Sequence, residues 1–415
     1  MKVLFVNTNE NYGGASQAAM RIMRGVQKHG IDAQMFVKNR SSQAEDVISI
    51  GQFVPKIAIY RAFDRVAEKI KNQWQHYKWN PYKNSKKDVF LSDLRSMCCH
   101  GALQKLDCDI VHLHWFNQRF LDIYELKKLQ KPIVWTLHDS WPFTGICHVP
   151  YECKNYENHC GACPMLGSSK ENDLAYEVFE KKLTVYKDLD LHIVTPSRWL
   201  ADCAKQSTLL GRFSITVIPN CLDTEVFRPL PPQKIYTKPV ILYGAMHAAK
   251  DKNKGFAHLL MALRMLDKQG LKARLVVFGI DAQELPMQFE NIEVEFVGYI
   301  RDNRRLAQLY SEADVMVVPS YSEVFGQTAS EAMACGTPVV AFRCTGIQDV
   351  VEDGCGYLAE PYNTDDLANG IRYCIENNPD NVLGKAARES AVKRFAIDVV
   401  AKLYMELYEK LIDNR

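Results

Sequence analysis

The sequence predicts an α/β protein made of two doubly wound, Rossmann-like domains. Short runs of apolar and β-branched residues recur along the chain, bounded by turn residues and separated by stretches with helical periodicity. Such runs are typical of parallel strands that are covered by helices on both faces. A proline-rich stretch at 219–232 divides them into two series, and 415 residues suffice for two domains of about 200 residues each. We expect the strand ends of the two domains to face a shared central cleft.

The composition excludes several classes of protein. Apolar residues make up 47% of the chain and charged residues 24%, as in ordinary globular proteins. The net charge of +2 gives no argument for a nucleic acid as the partner. No segment approaches the roughly 20 apolar residues of a membrane span, and the N-terminus does not resemble a signal peptide. We therefore expect a cytoplasmic protein in which most of the 13 cysteines are reduced.

The first domain is expected at 1–220. Its predicted strands lie at 2–7, 33–37, 109–113, 132–137, 190–195 and 215–218. The first strand is followed by Tyr12-Gly13-Gly14 and by a helix that begins near Ala15. A glycine turn before a helix leaves backbone amides available to an anion, so Gly14 is a candidate binding residue. A plain tight turn is the alternative interpretation.

A basic, aromatic insertion at 55–90 interrupts this alternation. It carries nine Lys or Arg residues against three Asp or Glu residues, and Trp74, Tyr77, Trp79 and Tyr82 are interleaved with them. One interpretation is a solvated helical insertion that packs by an amphipathic face. The other is a surface that meets an anionic membrane or a lipid-pyrophosphate acceptor, which would place the protein peripherally at the inner membrane face.

Histidines lie at the ends of two predicted strands of the first domain. His114 follows the strand at 109–113, and His138 follows the strand at 132–137. Ligands of open α/β sheets bind beyond the carboxyl ends of the strands, so His138 is a candidate for chemistry. A structural histidine is the alternative. A metal site built from these histidines is not expected, because no carboxylate has a matching spacing.

A cysteine-rich loop at 145–165 follows directly. Cys147, Cys153, Cys160 and Cys163 lie within 17 residues and end in a Cys-x-x-Cys pair. Four soft ligands in a loop rich in glycine, proline and asparagine fit a closed tetrahedral zinc site with a structural role. A redox pair, four free thiols and two local disulfides are the alternatives, although the rest of the thioredoxin pattern is missing.

The second domain is expected at 239–390. Its predicted strands lie at 240–243, 273–279, 293–297, 314–319 and 339–342, and terminal helices begin near 365 and 391. We expect the segment 391–415 to pack back on the N-terminal domain. A short helix is expected to begin near Gly326. It should end at Gly336, a residue that favours helix C-termini, because Pro338 cannot continue a helix.

The loop before that helix carries the strongest chemical signal. Glu323 and Glu331 flank Gly326 at a helix N-terminus, whose free amides and dipole suit a phosphate. The two carboxylates suit hydroxyl-rich groups beside that phosphate, and a sugar nucleotide has this layout. A solvated glutamate is the alternative for each carboxylate taken singly.

Two further segments of the second domain point to the same ligand. Lys250, Lys252 and Lys254 precede a predicted helix start at Gly255, where lysines can neutralise a diphosphate. A solvated lysine run is the alternative. Gly298-Tyr299 follows a predicted strand and could offer backbone contacts to a nucleotide base.

The run EVFGQTASEAMACGTPVVAF resembles the signature of retaining glycosyltransferases of the GT-B architecture, specifically family 4. Further segments extend the resemblance over nearly the whole chain: GGAS, TLHDSWPFTG, VTPSRWL, VIPNCLDTEVFRP, KNKGF and FVGYI. The first-domain segments HLHWFNQRFL and TLHDSWPFTGICH, with the cysteines that follow, resemble family members from capsule, exopolysaccharide and colanic-acid gene clusters. The resemblance implies transfer of a sugar, with retention and without a catalytic metal or other cofactor. The donor would be a nucleotide-diphosphate sugar, and the acceptor a glycan or a lipid-linked oligosaccharide.

The resemblance also implies roles for individual residues. Glu323 matches the glutamate at the donor sugar, Glu331 the one at the ribose, Lys254 the phosphate-binding lysine and His138 the histidine of the catalytic pocket. The expected catalytic residues are therefore His138, Lys254 and Glu323. The expected donor-binding residues are Gly14, Lys252, Gly298, Tyr299, Phe325, Gly326, Gln327, Thr328 and Glu331.

One departure from the family pattern concerns the donor phosphates. Many members carry an arginine a few residues before the lysine, where this chain has Gly244-Ala245-Met246-His247. Either Lys250 or Lys252 supplies the second cation, or the phosphates are held more weakly. Two other functions remain open from the sequence: a GT-B epimerase of nucleotide sugars and a non-catalytic protein that binds a nucleotide sugar.

Overall fold

The computed structural model describes residues 1–53, 82, 101–234, 236–244, 251–280 and 288–413. The predicted insertion at 55–90 lies outside the described residues except for Tyr82, and Lys250 also lies outside them. The chain forms two compact units, here called the first and the second domain. The first comprises Met1–Pro196, Leu200–Ile218 and Ala401–Arg415, and the second comprises Ser197–Trp199 and Pro219–Val400. Within the described residues, no helix has the length and apolar composition needed to cross a membrane.

The first domain contains a parallel sheet of seven strands in the order β3-β2-β1-β4-β5-β6-β7. The strands are β1 (Lys2–Asn9), β2 (Asp32–Asn39), β3 (Val47–Ser49), β4 (Ile110–Leu113), β5 (Ile133–Thr136), β6 (Leu191–Thr195) and β7 (Ser214–Val217). The chain adds β2 and β3 on one side of β1 and the later strands on the other. The switch point, where the strand order reverses, therefore lies between β1 and β4.

Helices connect these strands. The described ones are α1 (Gly14–Lys28), α2 (Ile123–Leu126), α3 (Leu174–Tyr186) and α4 (Arg198–Gln206). The amphipathic pattern of α1 explains its position, because Ala18, Ile22 and Val26 recur every fourth residue and are fully buried. Gly13 caps α1 with a φ of 87°, a left-handed value that favours glycine.

The second domain contains a parallel sheet of six strands in the order β10-β9-β8-β11-β12-β13. The strands are β8 (Val240–Gly244), β9 (Ala273–Phe278), β10 (Ile292–Gly298), β11 (Val315–Val318), β12 (Val339–Phe342) and β13 (Gly356–Ala359). Its switch point lies between β8 and β11, so the loops that follow these two strands are expected to carry a ligand site.

Helices cover both faces of this sheet, and they are α5 (Phe256–Lys268), α6 (Asn303–Ser311), α7 (Gln327–Ala334), α8 (Thr364–Glu376) and α9 (Val382–Phe395). The last helix, α10 (Ile397–Asp413), belongs to the first domain from Ala401 onward. Alternate residues of a strand point to opposite faces, and Leu242 accordingly packs in one apolar cluster while Ile241 and Tyr243 pack in another. The prediction of two doubly wound parallel sheets is confirmed.

The structure departs from the predicted elements at the sheet edges and near the C-terminus. The sequence pattern missed β3 and β13, which are the short edge strands of their sheets. It also missed α9, which ends at Phe395 before α10 begins at Ile397. Ala396, between them, is extended and forms an isolated bridge with Leu222, and this pairing interrupts the helical path.

Candidate functional site

Lys254 and Glu323 form an ion pair at the switch point of the second sheet. Lys254 ends the 3₁₀ turn Lys252–Lys254 that precedes α5, and Glu323 lies in the loop after β11. The Nζ atom of Lys254 lies 2.8 Å from Oε1 of Glu323, and the side chains are 24% and 19% exposed. The charge of Glu323 raises the pKa of the Lys254 amine above its usual value despite the opposing effect of burial. Lys254 is therefore a fixed cation at neutral pH.

Close packing of two loops brings this pair together. Gly255 has a φ of +65°, and a Cβ atom on it would lie 1.7 Å from the carbonyl oxygen of Pro319. The Tyr321 amide donates to the carbonyl of Asn253 over 2.8 Å. In return, the Asn253 side-chain amide donates to the carbonyl of Ser322 over 2.8 Å. The absence of a side chain on Gly255 is thus what lets the two loops touch.

A turn after β12 holds the backbone of Glu323. The Glu323 amide donates to Oγ1 of Thr345 over 3.0 Å, and the Gly346 amide donates to the carbonyl of Glu323 over 2.8 Å. Thr345 adopts a φ of 51°, which is uncommon for a β-branched residue and marks a constrained turn. Sequence reasoning missed Thr345 and Gly346. Their position directly beyond a predicted strand was the available signal.

Gly326 sets the start of α7 beside this pair. Its φ of 95° is left-handed, and α7 begins at Gln327. Gln327 and Thr328 are half-buried in the first turn, at the positive end of the helix dipole. The Phe325 side chain is buried in the apolar core, with its ring 5.2 Å from that of Phe395. Phe325 therefore supports the loop from the apolar core.

Glu331 lies further along α7 and is buried. Its Oε2 atom accepts a hydrogen bond of 3.3 Å from the hydroxyl of Tyr310, which is fully buried on α6. The carboxylate is therefore held within the second domain, on the helix that Gly326 opens. This position places both predicted glutamates on the segment that follows β11.

Three other predicted donor-binding residues, Lys252, Gly298 and Tyr299, have no contact with the ion pair among those that the structure shows. Lys252 shares the 3₁₀ turn with Lys254 but is exposed. Gly298 ends the edge strand β10, and its carbonyl accepts a hydrogen bond of 2.8 Å from the amide of Gly279. Tyr299 follows and is 50% exposed. Because β9 lies between β10 and β8, Gly298 and Tyr299 stand two strands away from the switch point.

Gly14 lies at the switch point of the first sheet, beyond β1. It is exposed and is the first residue of α1, while Gly13 before it carries the left-handed φ. The Ser16 hydroxyl donates to the carbonyl of Tyr12 over 2.8 Å and closes the turn. The left-handed backbone conformation that favours glycine is thus that of Gly13, and Gly14 belongs to the first turn of α1.

The two predicted strand-end histidines are in contact. Nδ1 of His114 lies 2.9 Å from Nε2 of His138, and the rings stack with centroids 5.1 Å apart. They come together because β4 and β5 are neighbours in the sheet. Burial lowers the pKa of His138 to about 4, so its ring is neutral at physiological pH.

The four clustered cysteines line one small cavity of about 20 Å³. All four are free thiols, and those of Cys147 and Cys163 are hydrogen-bonded to each other. The Gly145 amide donates to Sγ of Cys160 over 3.2 Å. In the part of the chain that the structure describes, no three His, Cys, Asp or Glu side chains are arranged to hold a metal ion. The expected zinc site stays a prediction.

Sequence reasoning missed Lys182, which anchors the start of the cysteine-rich segment. Its side chain is fully buried on α3, and Nζ donates to the carbonyls of Trp141, Thr144 and Gly145 over 2.5, 2.9 and 3.1 Å. The ammonium also lies 3.7 Å from the ring centroid of Trp141. Burial lowers the pKa of Lys182 well below its usual value. In the sequence, Lys182 is indistinguishable from a surface lysine of an amphipathic helix.

A cation and a carboxylate beside a glycine-led helix, at the switch point of a doubly wound sheet, are typical of α/β proteins that bind phosphate-bearing ligands. Residues 12–226 match the model of Glycosyltransferase Family 4, and residues 234–390 match that of Glycosyl transferases group 1. The chain therefore belongs to glycosyltransferase family 4, as the sequence motifs predicted.

Curated relatives match over part of their length. The chain is 27% identical over 262 residues to a protein of Escherichia coli K12 named as the colanic acid biosynthesis glycosyl transferase WcaC. That match covers 60% of this chain and 62% of the relative, which is less than two thirds of its length. A D-inositol 3-phosphate glycosyltransferase of Corynebacterium aurimucosum is 25% identical, with 69% of this chain and 68% of the relative covered.

Solved structures share the fold over nearly their whole length. A sucrose-phosphate synthase from Thermosynechococcus elongatus is 21% identical with a TM-score of 0.66, and each chain is covered to 100%. A glycosyltransferase from Rickettsia africae is 16% identical with a TM-score of 0.65, with 100% of this chain and 99% of that chain covered. Anabaena HepE, solved with UDP-glucose, is 18% identical with a TM-score of 0.62, covered to 99% and 100% respectively. The predicted GT-B fold is confirmed.

Proposed function

We propose that the protein is a retaining glycosyltransferase that moves a sugar from a nucleotide-diphosphate sugar to an acceptor. The observation that carries this proposal is the Lys254–Glu323 ion pair beside the N-terminus of α7. Family membership supports the reaction class. The UDP-glucose bound by Anabaena HepE, which has the same fold, supports the class of donor.

Each predicted donor-binding or catalytic residue has a role in the proposal. The Lys254 ammonium and the amides at the start of α7 bind the diphosphate. The Glu323 carboxylate accepts hydrogen bonds from the donor sugar, and the Glu331 carboxylate binds the ribose. The remaining donor-binding residues contribute backbone or polar contacts: Gly14, Lys252, Gly298, Tyr299, Phe325, Gly326, Gln327 and Thr328.

The mechanism follows from where charge develops. Cleavage of the bond to the anomeric carbon leaves negative charge on the departing diphosphate, and Lys254 with the helix amides stabilises it. The proposal thus assigns the neutralising charge to the protein rather than to a bound metal. The departing phosphate oxygen takes the proton of the acceptor hydroxyl on the same face, so the new bond has the configuration of the old one.

We propose a glycan or a lipid-linked oligosaccharide as the acceptor, in the synthesis of a surface polysaccharide. The name of the Escherichia coli relative, which refers to colanic acid biosynthesis, supports this choice. An acceptor of this kind would place the protein in the cytoplasm at the inner face of the membrane, with the basic insertion at 55–90 as the contact.

The test is a screen of nucleotide sugars with and without lipid-linked acceptors. We expect a thermal shift with the true donor, and release of nucleoside diphosphate only when an acceptor is present. NMR of the product should show the anomeric configuration of the donor, and omission of added divalent cations should leave the rate unchanged. A sugar altered without an acceptor would identify an epimerase. Binding without release under every condition would identify a nucleotide-sugar-binding protein.

A further inference from the structure

Three histidines form a buried cluster in the first domain. The rings of His112 and His114 lie 4.2 Å apart, and the ring of Phe5 stacks on His114 at 5.6 Å. His112 is bonded on both nitrogens: Nδ1 lies 2.7 Å from the hydroxyl of Tyr408, and Nε2 lies 2.8 Å from Oγ1 of Thr136. Hydroxyl groups can donate or accept, so these contacts suit either tautomer of His112.

His114 is bonded differently. Its Nδ1 atom meets Nε2 of His138 at 2.9 Å, and its own Nε2 atom is buried without a hydrogen-bond partner among the described residues. Burial lowers the pKa of His114 well below its usual value and that of His138 to about 4. Both rings are therefore neutral, and each carries a single N–H group.

Two arrangements of protons satisfy the bond between the rings. If His138 donated through Nε2, the proton of His114 would lie on its own Nε2 and would be a buried N–H without an acceptor. If His114 donates through Nδ1, its Nε2 is a buried acceptor without a donor. Among backbone groups, buried N–H groups without a partner are rarer than buried acceptors without one, and the same preference applied to the His114 ring favours the second arrangement.

We propose that His114 is a positioning residue that donates through Nδ1 and thereby fixes the proton of His138 on Nδ1. His138 is then a neutral hydrogen-bond donor through Nδ1 and not a proton acceptor. The inference deepens the proposed function, on which the catalytic role of His138 rests. A donor at this position can bind an oxygen of the sugar or of the acceptor while the departing phosphate takes the proton.

The proton positions can be read directly by NMR of protein labelled with ¹⁵N-histidine. The signals of His138 are assigned from their loss in His138→Gln. We expect a protonated Nδ1 and a bare Nε2 in the wild type. His114→Asn keeps an amide donor near the position of Nδ1 and should preserve this pattern, whereas His114→Leu, which has no donor, should give a mixture of tautomers.

Kinetics supply the second measurement. We expect His114→Leu to lower kcat by about tenfold, the scale of one lost hydrogen bond, with little change in the KM of the donor. His114→Asn should recover most of the loss. Tyr408→Phe is the matched control, because it removes a hydrogen bond of the same cluster and leaves the bond between His114 and His138 intact.

A wild-type His138 protonated on Nε2 would overturn the inference, and so would an unchanged tautomer in a folded His114→Leu variant. The NMR result does not depend on turnover. If no donor or acceptor supports sugar transfer, the proposed function is wrong, but the NMR spectrum still determines the tautomer of His138. If His114→Leu does not fold, the wild-type spectrum and His114→Asn decide it.

Discussion

Glu323 holds the side chain of Lys254 in place. Their 2.8 Å ion pair keeps the ammonium in place within the domain. A diphosphate that binds Lys254 has to share it with this carboxylate. The arrangement fixes the position of the cation in advance, which is how electrostatic stabilisation avoids reorganisation during a reaction.

Replacement of this cation is the sharpest test at the residue scale. We expect Lys254→Ala to lower turnover by roughly 100-fold or more, because it removes a stabiliser of the departing diphosphate. Steady-state kinetics with the donor found in the screen would measure the effect. Lys268→Ala, which alters an exposed lysine of the same domain, is the control. Near-normal turnover of Lys254→Ala would contradict the proposed role.

Glu331 allows binding and stability to be separated. The amide oxygen of Glu331→Gln can still accept the hydrogen bond of Tyr310, so we expect the free energy of unfolding to change by less than about 1 kcal/mol. The KM of the donor should rise, because an amide is a weaker acceptor than a carboxylate for ribose hydroxyls. Tyr310→Phe is the converse control, since it removes the hydroxyl and keeps the carboxylate. If Glu331→Gln lowered the free energy of unfolding and left the KM of the donor unchanged, the role of Glu331 would be structural.

At the scale of elements, contact between the loop before α5 and the loop after β11 depends on Gly255. Gly255→Ala would place a Cβ atom 1.7 Å from the Pro319 carbonyl in a left-handed conformation. We expect a loss of about 2 kcal/mol or more in the free energy of unfolding, measured by urea denaturation.

Gly270 provides a matched control for this substitution. It also has a left-handed φ, of +81°, but a Cβ atom on it would have no neighbour within 4 Å. Gly270→Ala should therefore cost only the conformational penalty, about 1 kcal/mol. Equal losses in the two variants would show that close packing at Pro319 is not what requires Gly255.

The cysteine-rich loop at 145–165 is the second element with a testable property. We predict that it binds one structural zinc ion, because four thiols line a single cavity. Thiolates at Cys147 and Cys160 would raise the pKa of the buried Lys182 amine, and its protonated form would then partly offset the negative charge of a tetrathiolate site. Binding would require rotation of the side chains, since no three of them are arranged around a common centre among the described residues.

Elemental analysis of the purified protein tests whether the loop at 145–165 binds zinc. We expect about one zinc per chain, and its loss when Cys160 and Cys163 are changed to serine. Cys203→Ser, a partly buried cysteine outside the loop, should retain the metal. A metal-free protein whose four thiols react with an alkylating agent would contradict the prediction, and a mass lower by 2 or 4 Da would indicate disulfides instead.

At the scale of the whole molecule, the C-terminal segment of the chain is part of the N-terminal domain. Ala401–Arg415 groups with the first domain although it follows the second in sequence. Tyr404 and Tyr408 on this segment are fully buried. Their hydroxyls lie 3.0 Å from Oγ1 of Thr136 and 2.7 Å from Nδ1 of His112. The segment thus completes the core around β4 and β5.

Truncation measures how much this segment contributes. We expect deletion of 401–415 to lower the thermal stability markedly and to speed hydrogen exchange in β4 and β5, because it exposes an apolar surface and removes two partners of buried polar groups. Deletion of 411–415 alone leaves both tyrosines in place and should have little effect. Equal exchange rates in the long truncation and the full chain would contradict this contribution.

Most of the fold could be predicted from the sequence, because apolar runs and turn residues are local signals. The interior strands and the start of α7 at Gly326 lie where these signals placed them. The sequence pattern missed the edge strands β3 and β13 because they are short and neither contains an unbroken apolar run of four residues: their sequences are Val-Ile-Ser and Gly-Tyr-Leu-Ala. An edge strand is stabilised by pairing with one neighbour, which its own sequence does not encode.

The sequence by itself determined the fold class, the family and the candidates Lys254, Glu323, Glu331 and His138. Only the tertiary structure decided which of these side chains are in contact. Lys254 and Glu323 lie 69 positions apart and touch because β8 and β11 are neighbours at a switch point. The contact of His114 with His138, the carbonyl ligands of Lys182 and the burial of Phe325 likewise depend on strand order and packing. Local periodicity specifies elements, whereas side-chain partners are fixed when the elements assemble.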